Sequence, residues 1–301
     1  MSSDRPTRPP LRSLLFVPGT RTEWLPKAVA AGADAVILDL EDAVPPQHRA
    51  EARDRVAAAV REAAGDPALF VRINPLDSWE AADELRDVIG PNLAGVVLPK
   101  VADVRDVELA DRLITFGERR HGLPDGAIAL IPLLETANAL RSAYPIAAAV
   151  PRVEYLGAVT APGGDVESAI GYRWTPGGAE TAELRSRVLV DARAAGVRHP
   201  VSGLWTRVGD LDGLRAYALH NRALGYTGMM AIHPTHIPVI NEVFTAGPED
   251  LARFDRLLEA YERAKAAGHG AVVFEGDMVD EAMAAGARRR LRDSRADPDL
   301  R

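Results

Sequence analysis

Two carboxylates in this sequence follow strongly apolar runs. Glu135 closes the run 128–135, and Asp165 stands in the loop Gly163-Gly164-Asp165 after the run 153–159. The chain contains no cysteine, which excludes disulfides, thiolate metal sites and cysteine nucleophiles. His233 is the only histidine placed at the end of such a run. An oxygen-rich site with few protein ligands suits Mg²⁺, which keeps several waters and accepts substrate oxygens. A local reading competes: Glu135 caps or neutralises a helix start, and Asp165 caps a turn. Spacing alone does not choose between the two.

Further charged groups stand at comparable places. In Asp39-Leu40-Glu41-Asp42, strand alternation puts Asp39 and Glu41 on one face, with Asp42 opening the loop. This cluster either supports Arg72 and Lys100 through ion pairs or binds metal through water; support is the reading we favour. Arg72 ends Leu-Phe-Val-Arg-Ile-Asn. A planar, always-charged fork there suits a substrate carboxylate or a developing enolate oxygen, and equally a salt bridge to the acidic cluster. Arg21, Lys27 and Arg49 place cations near the first two run ends, where they can bind the phosphates of a large anionic substrate or serve as ordinary helix-surface charge. No phosphate-binding loop of the Walker or G-x-G-x-x-G type stands where it would matter. Trp24, Trp174 and Trp205 line a pocket or pack in the core, with packing favoured for Trp205.

The elements that must position these groups form a regular alternation. Short apolar runs at 13–18, 35–41, 69–74, 95–101, 128–135, 153–159, 200–204 and 228–232 are apolar on both faces, as strands buried in a parallel sheet should be. Between them lie amphipathic stretches such as 49–64, 104–120 and 180–195, each followed by a glycine, Gly65, Gly122 or Gly196, at a helix C-cap position. Eight repeats of this alternation predict a (β/α)8 TIM barrel, in which chemistry sits at the C-terminal ends of the strands. All but one of the run ends carry a charged or imidazole group, so the fold would bring them to one face. Further helices are expected at 235–245, 249–267 and 278–291. Residues 268–276 read as a connection to a C-terminal helical arm. The organisation is therefore a disordered lead over 1–10, a barrel over 11–268, an arm over 269–295 and a frayed end from 293 to 301.

With 301 residues, a net charge of −7 and a pI of about 5.6, the chain carries no broad basic footprint for nucleic acid or an anionic membrane. Its apolar runs are too short to span a bilayer. The start, MSSDRPTRPP, has no hydrophobic segment of the secretory kind. A cytoplasmic location is expected by default.

Several of these segments together resemble the citrate lyase β-subunit-like family, within the wider HpcH/HpaI aldolase superfamily. The opening is Arg12-Ser-Leu-Leu-Phe-Val-Pro-Gly19 with Asp34-Ala-Val-Ile-Leu-Asp-Leu-Glu-Asp-Ala-Val44. It continues through Val71-Arg-Ile-Asn74, Val97-Leu-Pro-Lys100, Leu134-Glu-Thr136, Gly164-Asp165, Ala169-Ile-Gly171, Ile232-His-Pro234 and Gly276-Asp-Met-Val-Asp280. The similarity spans about residues 11–290. It implies a TIM barrel, a homotrimer or larger assembly, and Mg²⁺ in the barrel mouth. It also implies cleavage or formation of a small 3-hydroxyacyl-CoA such as malyl-, methylmalyl- or citramalyl-CoA, giving an acyl-CoA and a 2-oxo acid. By position, Glu135 and Asp165 match metal-binding carboxylates and Arg72 matches the arginine at the enolate. Asp280 matches an acidic residue that works in a neighbouring subunit's site; spacing alone would make it a helix cap. Arg21, Lys27 and Arg49 fall near positions associated with the CoA moiety. The chain departs from the family pattern at Gly228-Met-Met-Ala-Ile-His-Pro-Thr-His236, where Met replaces a usual lysine and His236 a usual glutamine. The departure bears on the acyl group. The rival activities are a 2-keto acid aldolase that needs no CoA, an acyl-carrier-linked citrate lyase subunit, and a barrel that only binds CoA esters.

Overall fold

In the computed structural model the described residues are 8–295 apart from 64, 66 and 176. Strands β1 (Ser13–Pro18), β2 (Ala35–Asp39), β3 (Ala68–Arg72), β4 (Gly95–Leu98), β5 (Ala129–Leu134), β6 (Tyr155–Ala158), β7 (His199–Ser202) and β8 (Gly228–Ala231) pair in chain order, and β8 returns to β1 to close a parallel barrel. The expected runs are all strands. Most are trimmed by one to three residues at their polar ends, where the chain leaves the ladder.

Alternation along the strands divides the apolar residues into two layers. Leu14, Ala35, Ile37, Phe70, Val97, Ala129, Ile131 and Leu133 form one cluster, which fills the barrel. Their chain neighbours Leu15, Val36, Leu38, Val71, Val96, Leu98 and Leu130 join residues of the surrounding helices, among them Val56, Leu85, Ile114 and Ile240, in a second cluster. Each fully buried aliphatic side chain contributes about 1.5–3 kcal/mol relative to exposure. Truncating Ile131 to Ala inside the barrel would therefore cost about 2–5 kcal/mol through lost burial and a cavity.

Local signals start and stop the helices. Asp103, Thr136 and Asp210 accept backbone N–H groups at the starts of Val104–Arg120, Ala137–Arg141 and Leu211–Leu224. Gly122 and Gly196 take the left-handed conformation (φ 68° and 87°) just beyond helix ends, as expected of C-cap glycines. Gly19 is required for a different reason. A Cβ there would lie 2.7 Å from the Asp39 carbonyl oxygen, so only glycine lets the chain leaving β1 cross the end of β2.

The bottom of the barrel holds the part of the N-terminal lead that is described. Arg8 donates to the carbonyls of Gly126 and Ala127 at 2.7 and 2.8 Å, the Tyr155 hydroxyl donates to Pro9 O at 2.8 Å, and His199 Nε2 lies 2.9 Å from Arg8 O. The lead expected to be disordered over 1–10 is thus held at Arg8 and Pro9; residues 1–7, and the chain end beyond 295, lie outside the described residues.

The chain divides into two compact units, one ending at Phe244 and one beginning at Thr245. The expected barrel boundary at 268 moves accordingly. The helix Pro248–Ala266 shares a core of Leu257, Tyr261, Val279, Ala284 and Ala287 with the segments that follow it. Those segments correct the reading of 268–291 as a connection and a helix from 278. Strands β9 (Ala271–Phe274) and β10 (Asp277–Asp280) form an antiparallel hairpin, and the helix Glu281–Arg295 starts only after it. The two turn residues, Glu275 and Gly276, both have positive φ (52° and 94°), which matches the right-handed twist of a tight hairpin.

Candidate active site

Strand parity decides which polar groups reach the mouth. The positions that put Ala35 and Ile37 inside the barrel put Asp39 at its top, Ala68 and Phe70 lead to Arg72, and Ala129, Ile131 and Leu133 lead to Glu135. In the β2–β3 register Asp39 and Arg72 are partners. Arg72 Nε and Nη2 donate to the two Asp39 oxygens at 2.6 and 2.7 Å. Its Nη1 reaches Glu41 at 3.1 Å and Asp42 at 3.7 Å, and its Cζ lies 4.9 Å from the Phe16 ring centre. Burial works against the guanidinium charge, but the Asp39 bonds and the Glu41 and Asp42 charges outweigh it and raise its pKa. The favoured reading of the acidic cluster as a support for Arg72 and Lys100 matches this geometry.

Asp39 also shapes its own turn, since its oxygens accept the N–H groups of Glu41 and Ala43 at 3.0 and 3.2 Å. Lys100 Nζ lies 2.8 Å from Glu41 and 3.2 Å from Asp42. Glu41 meets its two cations as ion pairs without hydrogen-bond alignment. Burial lifts its carboxyl above the ordinary value despite Arg72 and Lys100.

Glu135 is buried and does not cap the helix that follows it; the Thr136 hydroxyl does. Its Oε2 instead accepts the backbone N–H of Lys100 at 2.9 Å, across the β4–β5 boundary. Burial, with the Glu41 and Asp165 charges adding to it and the Lys100 N–H and Arg72 opposing, pushes the carboxyl up to about 7. Asp165 is the first residue of the helix Asp165–Ile170, on the loop from the neighbouring strand β6, and is exposed. The turn before it is closed by Glu167, which accepts Gly163 N–H at 2.7 Å.

These groups suit a hard divalent cation in kind. The donors are oxygens, and the charges of Glu41 and Asp165 add to the burial that raises the Glu135 carboxyl, a strain that a nearby cation would relieve. Among the described residues no group of three or more His, Cys, Asp or Glu side chains gathers to enclose an ion. A cation here would keep water and substrate positions open, as Mg²⁺ does.

Of the three candidate phosphate-binding cations, Arg49 alone lines the cleft beside the mouth. Arg49 lines a cleft of about 430 Å³ together with Glu41, Asp42, Asn74 and Lys100. Its buried Nε has no hydrogen-bond partner. Arg21 pairs with Glu23 at 3.5 Å and lies over the Trp24 ring, and Lys27 is exposed on the helix Leu25–Ala30; neither lines that cleft. Trp174, Trp205 and Tyr217 pack edge to face or tilted at 5.5–6.5 Å, and Trp205 is buried, so it serves the core. Met229 and Met230, at the departure from the family pattern, pack in the outer and inner clusters, while His236 is buried with Nε2 3.3 Å from Val208 O.

Asp280, described within its own unit, ends β10. Its Oδ1 accepts Met283 N–H at 3.1 Å, the helix-capping geometry that spacing suggested.

One supporting residue, Glu84, escaped the sequence reading, and its partner Asn74 stands there only within a motif. Buried Glu84 accepts from Asn74 N–H and Nδ2 at 2.7 and 2.5 Å, and Asn74 Nδ2 also donates to Leu40 O, tying the ends of β2 and β3 together. Burial holds Glu84 up at about 7 in spite of those bonds. An acid at helical spacing carries no mark in the sequence that separates it from its surface neighbours.

Comparison with known proteins adds to this geometry. The model of the HpcH/HpaI aldolase/citrate lyase family matches residues 12–234. The chain is 39% identical to a citrate lyase subunit beta-like protein of Deinococcus radiodurans, over 93% of this chain and 96% of that one. It is 32% identical to an L-malyl-CoA/beta-methylmalyl-CoA lyase of Cereibacter sphaeroides, over 91% and 92%. Among solved structures it is similar to the protein CitE from Mycobacterium tuberculosis in complex with magnesium, acetoacetate and coenzyme A, with a TM-score of 0.73, 29% identity and coverage of 94% and 97%.

Proposed function

The chain belongs to the HpcH/HpaI aldolase/citrate lyase family, and from that premise we propose that it is a Mg²⁺-dependent carbon–carbon lyase. Its substrate is a small 3-hydroxyacyl-CoA of the malyl-, methylmalyl- or citramalyl-CoA kind, split to an acyl-CoA and a 2-oxo acid or formed from them. The observation that carries the reading is the layer at the barrel mouth. Arg72 and Glu135 stand at the tops of β3 and β5 on the inward parity, with Asp165 following on the next loop.

Glu135 and Asp165 would hold the cation, which when bound supplies Lewis-acid polarisation of the substrate hydroxyl, or product oxo group, and the adjacent carboxylate. In the cleavage direction the 3-hydroxyl loses its proton, the C2–C3 bond breaks and C3 becomes the 2-oxo carbon of the departing acid. The bonding electrons pass to a thioester enolate, which is protonated at C2 to give the acyl-CoA. Arg72, fixed by Asp39, offers its remaining N–H groups to the enolate oxygen, and its charge is set before the reaction begins. Asp280 of a second copy exchanges the C2 proton. In that role position matters more than basicity, because the group must lie within hydrogen-bond reach of the carbon acid. Arg49, in the cleft beside the mouth, would meet a phosphate of the CoA chain. The assembly is then a homo-oligomer, such as a trimer, in which the unit from Thr245 onward serves a neighbour's site.

A panel of malyl-, methylmalyl- and citramalyl-CoA, assayed with Mg²⁺ for glyoxylate or pyruvate release, tests this reading. Release from at least one ester supports it. Release only from CoA-free hydroxy-oxo acids, or thioester hydrolysis without a 2-oxo acid, contradicts it.

A further inference from the structure

Lys100 and Glu275 are the non-glycine residues with left-handed backbone among those described, at φ 49° and 52°. Glu275 lies in a hairpin turn that demands this conformation. Lys100 lies at the top of β4, where no turn type demands it, and a left-handed residue held at a mouth position is strain that the surroundings must enforce.

Those surroundings are defined on both sides. Upstream, Leu98 is buried in the outer core. Downstream, Val101 is buried in the same cluster, and Ala102 is clamped: its N–H donates to Asp106 at 2.7 Å and its carbonyl accepts Asn138 Nδ2 at 2.7 Å. With both flanks fixed, a change of φ at residue 100 must swing its amide away from Glu135 or pull Val101 from the core. The conformation present does neither. It aims the N–H at Glu135 Oε2 (2.9 Å) while the side chain turns back to Glu41 and Asp42.

The geometry points to Lys100 as a positioning residue whose left-handed backbone, rather than its ammonium, sets the Glu135 carboxylate for a divalent cation. The inference rests on the reading of Glu135 as a cation ligand. One Glu135 oxygen is held by an amide, so the carboxylate has a fixed plane and presents its other oxygen in a fixed direction. The Lys100 ammonium does different work: with Arg72 it balances Glu41. A positive charge beside the site opposes cation binding, so removing it should not weaken uptake.

Backbone and side chain separate in three variants, titrated with Mg²⁺ by calorimetry without substrate and checked for folding by thermal unfolding. Lys100→Gly and Lys100→Asn keep the amide and tolerate the left-handed region, whereas Lys100→Val resists it as a β-branched residue. We expect Lys100→Gly and Lys100→Asn to bind Mg²⁺ within about threefold of the wild type, or more tightly, and Lys100→Val to bind roughly tenfold more weakly. If Lys100→Val does not fold, the other two decide. A tenfold loss in folded Lys100→Gly and Lys100→Asn, or unchanged affinity in Lys100→Val, overturns the inference. Absence of Mg²⁺ uptake by the wild type contradicts the cation-ligand reading and this inference together, whereas normal wild-type uptake with a Lys100→Gly loss contradicts this inference alone.

Discussion

Arg72 faces Asp39 across the β2–β3 register, and its fork closes on both Asp39 oxygens at 2.6 and 2.7 Å while a third nitrogen reaches Glu41. The arginine proposed to meet the substrate is therefore already aimed and charged by two buried carboxylates. Arg72→Ala leaves the buried Asp39 without its cation and Glu41 with Lys100 alone, and the expected cost to stability is about 3–5 kcal/mol. Arg72→Lys keeps a charge but loses the planar fork. Turnover should fall roughly 100-fold, with a smaller change in KM, because the enolate charge develops only during reaction. Steady-state kinetics on the best CoA ester check this; normal kcat with raised KM would assign Arg72 to docking.

The two mouth carboxylates should fail together. Glu135→Ala and Asp165→Ala are each expected to bind Mg²⁺ at least tenfold more weakly, on the order of 1.4 kcal/mol or more, while remaining folded. Calorimetric titration and circular dichroism read the two quantities separately. Wild-type affinity in either variant would remove that residue from the site.

The sequence carried the barrel because its strands are buried on both faces and so stand out as continuous apolar runs between amphipathic stretches. It carried the position of Arg72 and Glu135 at strand ends, because both close apolar runs; that both stand on the inward parity is visible only in the register. It carried Lys100 as a partner of the acidic cluster but not its backbone conformation, since nothing in a lysine's type announces a positive φ; the buried Val101 and the hydrogen-bonded Ala102 that flank it are long-range features. The hairpin at Ala271–Asp280 was hidden for a related reason. Its strands are short and largely exposed, and their apolar Val279 packs on the helix Pro248–Ala266, so the pattern resembled a linker and the division at Phe244 was missed.

Asp280 offers a subunit test. Within its own unit it caps the helix Glu281–Arg295, so Asp280→Asn, which can still cap, should fold. Mixing inactive Asp280→Asn with inactive Glu135→Ala under conditions of subunit exchange should restore part of the activity, because some pairings join an intact Glu135 to an intact Asp280. Exchange proven by labelled subunits, with no recovery, would confine Asp280 to its capping role.

The barrel bottom predicts a pH effect remote from the mouth. Burial first, then the charges of Arg198 and Arg193, hold the His199 imidazole down at about 4, against the opposing bond to Arg8 O. The unfolded chain takes up a proton near 6.5 that the folded chain refuses until about 4, so folding should lose stability as pH falls through that window and level off below it. The full effect is about 3 kcal/mol. Glu84 and Glu135, both raised to about 7, act in the opposite sense and cost stability as pH rises from about 4.5 to 7. The readout is therefore the difference between wild type and His199→Gln, in denaturant midpoints from pH 7 to 4. The difference should shift in favour of His199→Gln as pH falls, and a difference that stays constant would place His199 in a more solvated setting.

The central claim, that this mouth splits a carbon–carbon bond in a CoA ester, is tested most directly by product stoichiometry. The purified protein is incubated with Mg²⁺ and the best ester of the malyl-CoA type, and the acyl-CoA and 2-oxo acid are quantified together, with and without a chelator. The account predicts one acyl-CoA and one 2-oxo acid per ester consumed, abolished by chelation and restored by added Mg²⁺. Free CoA accumulating without a 2-oxo acid, or undiminished cleavage in chelator, would contradict it.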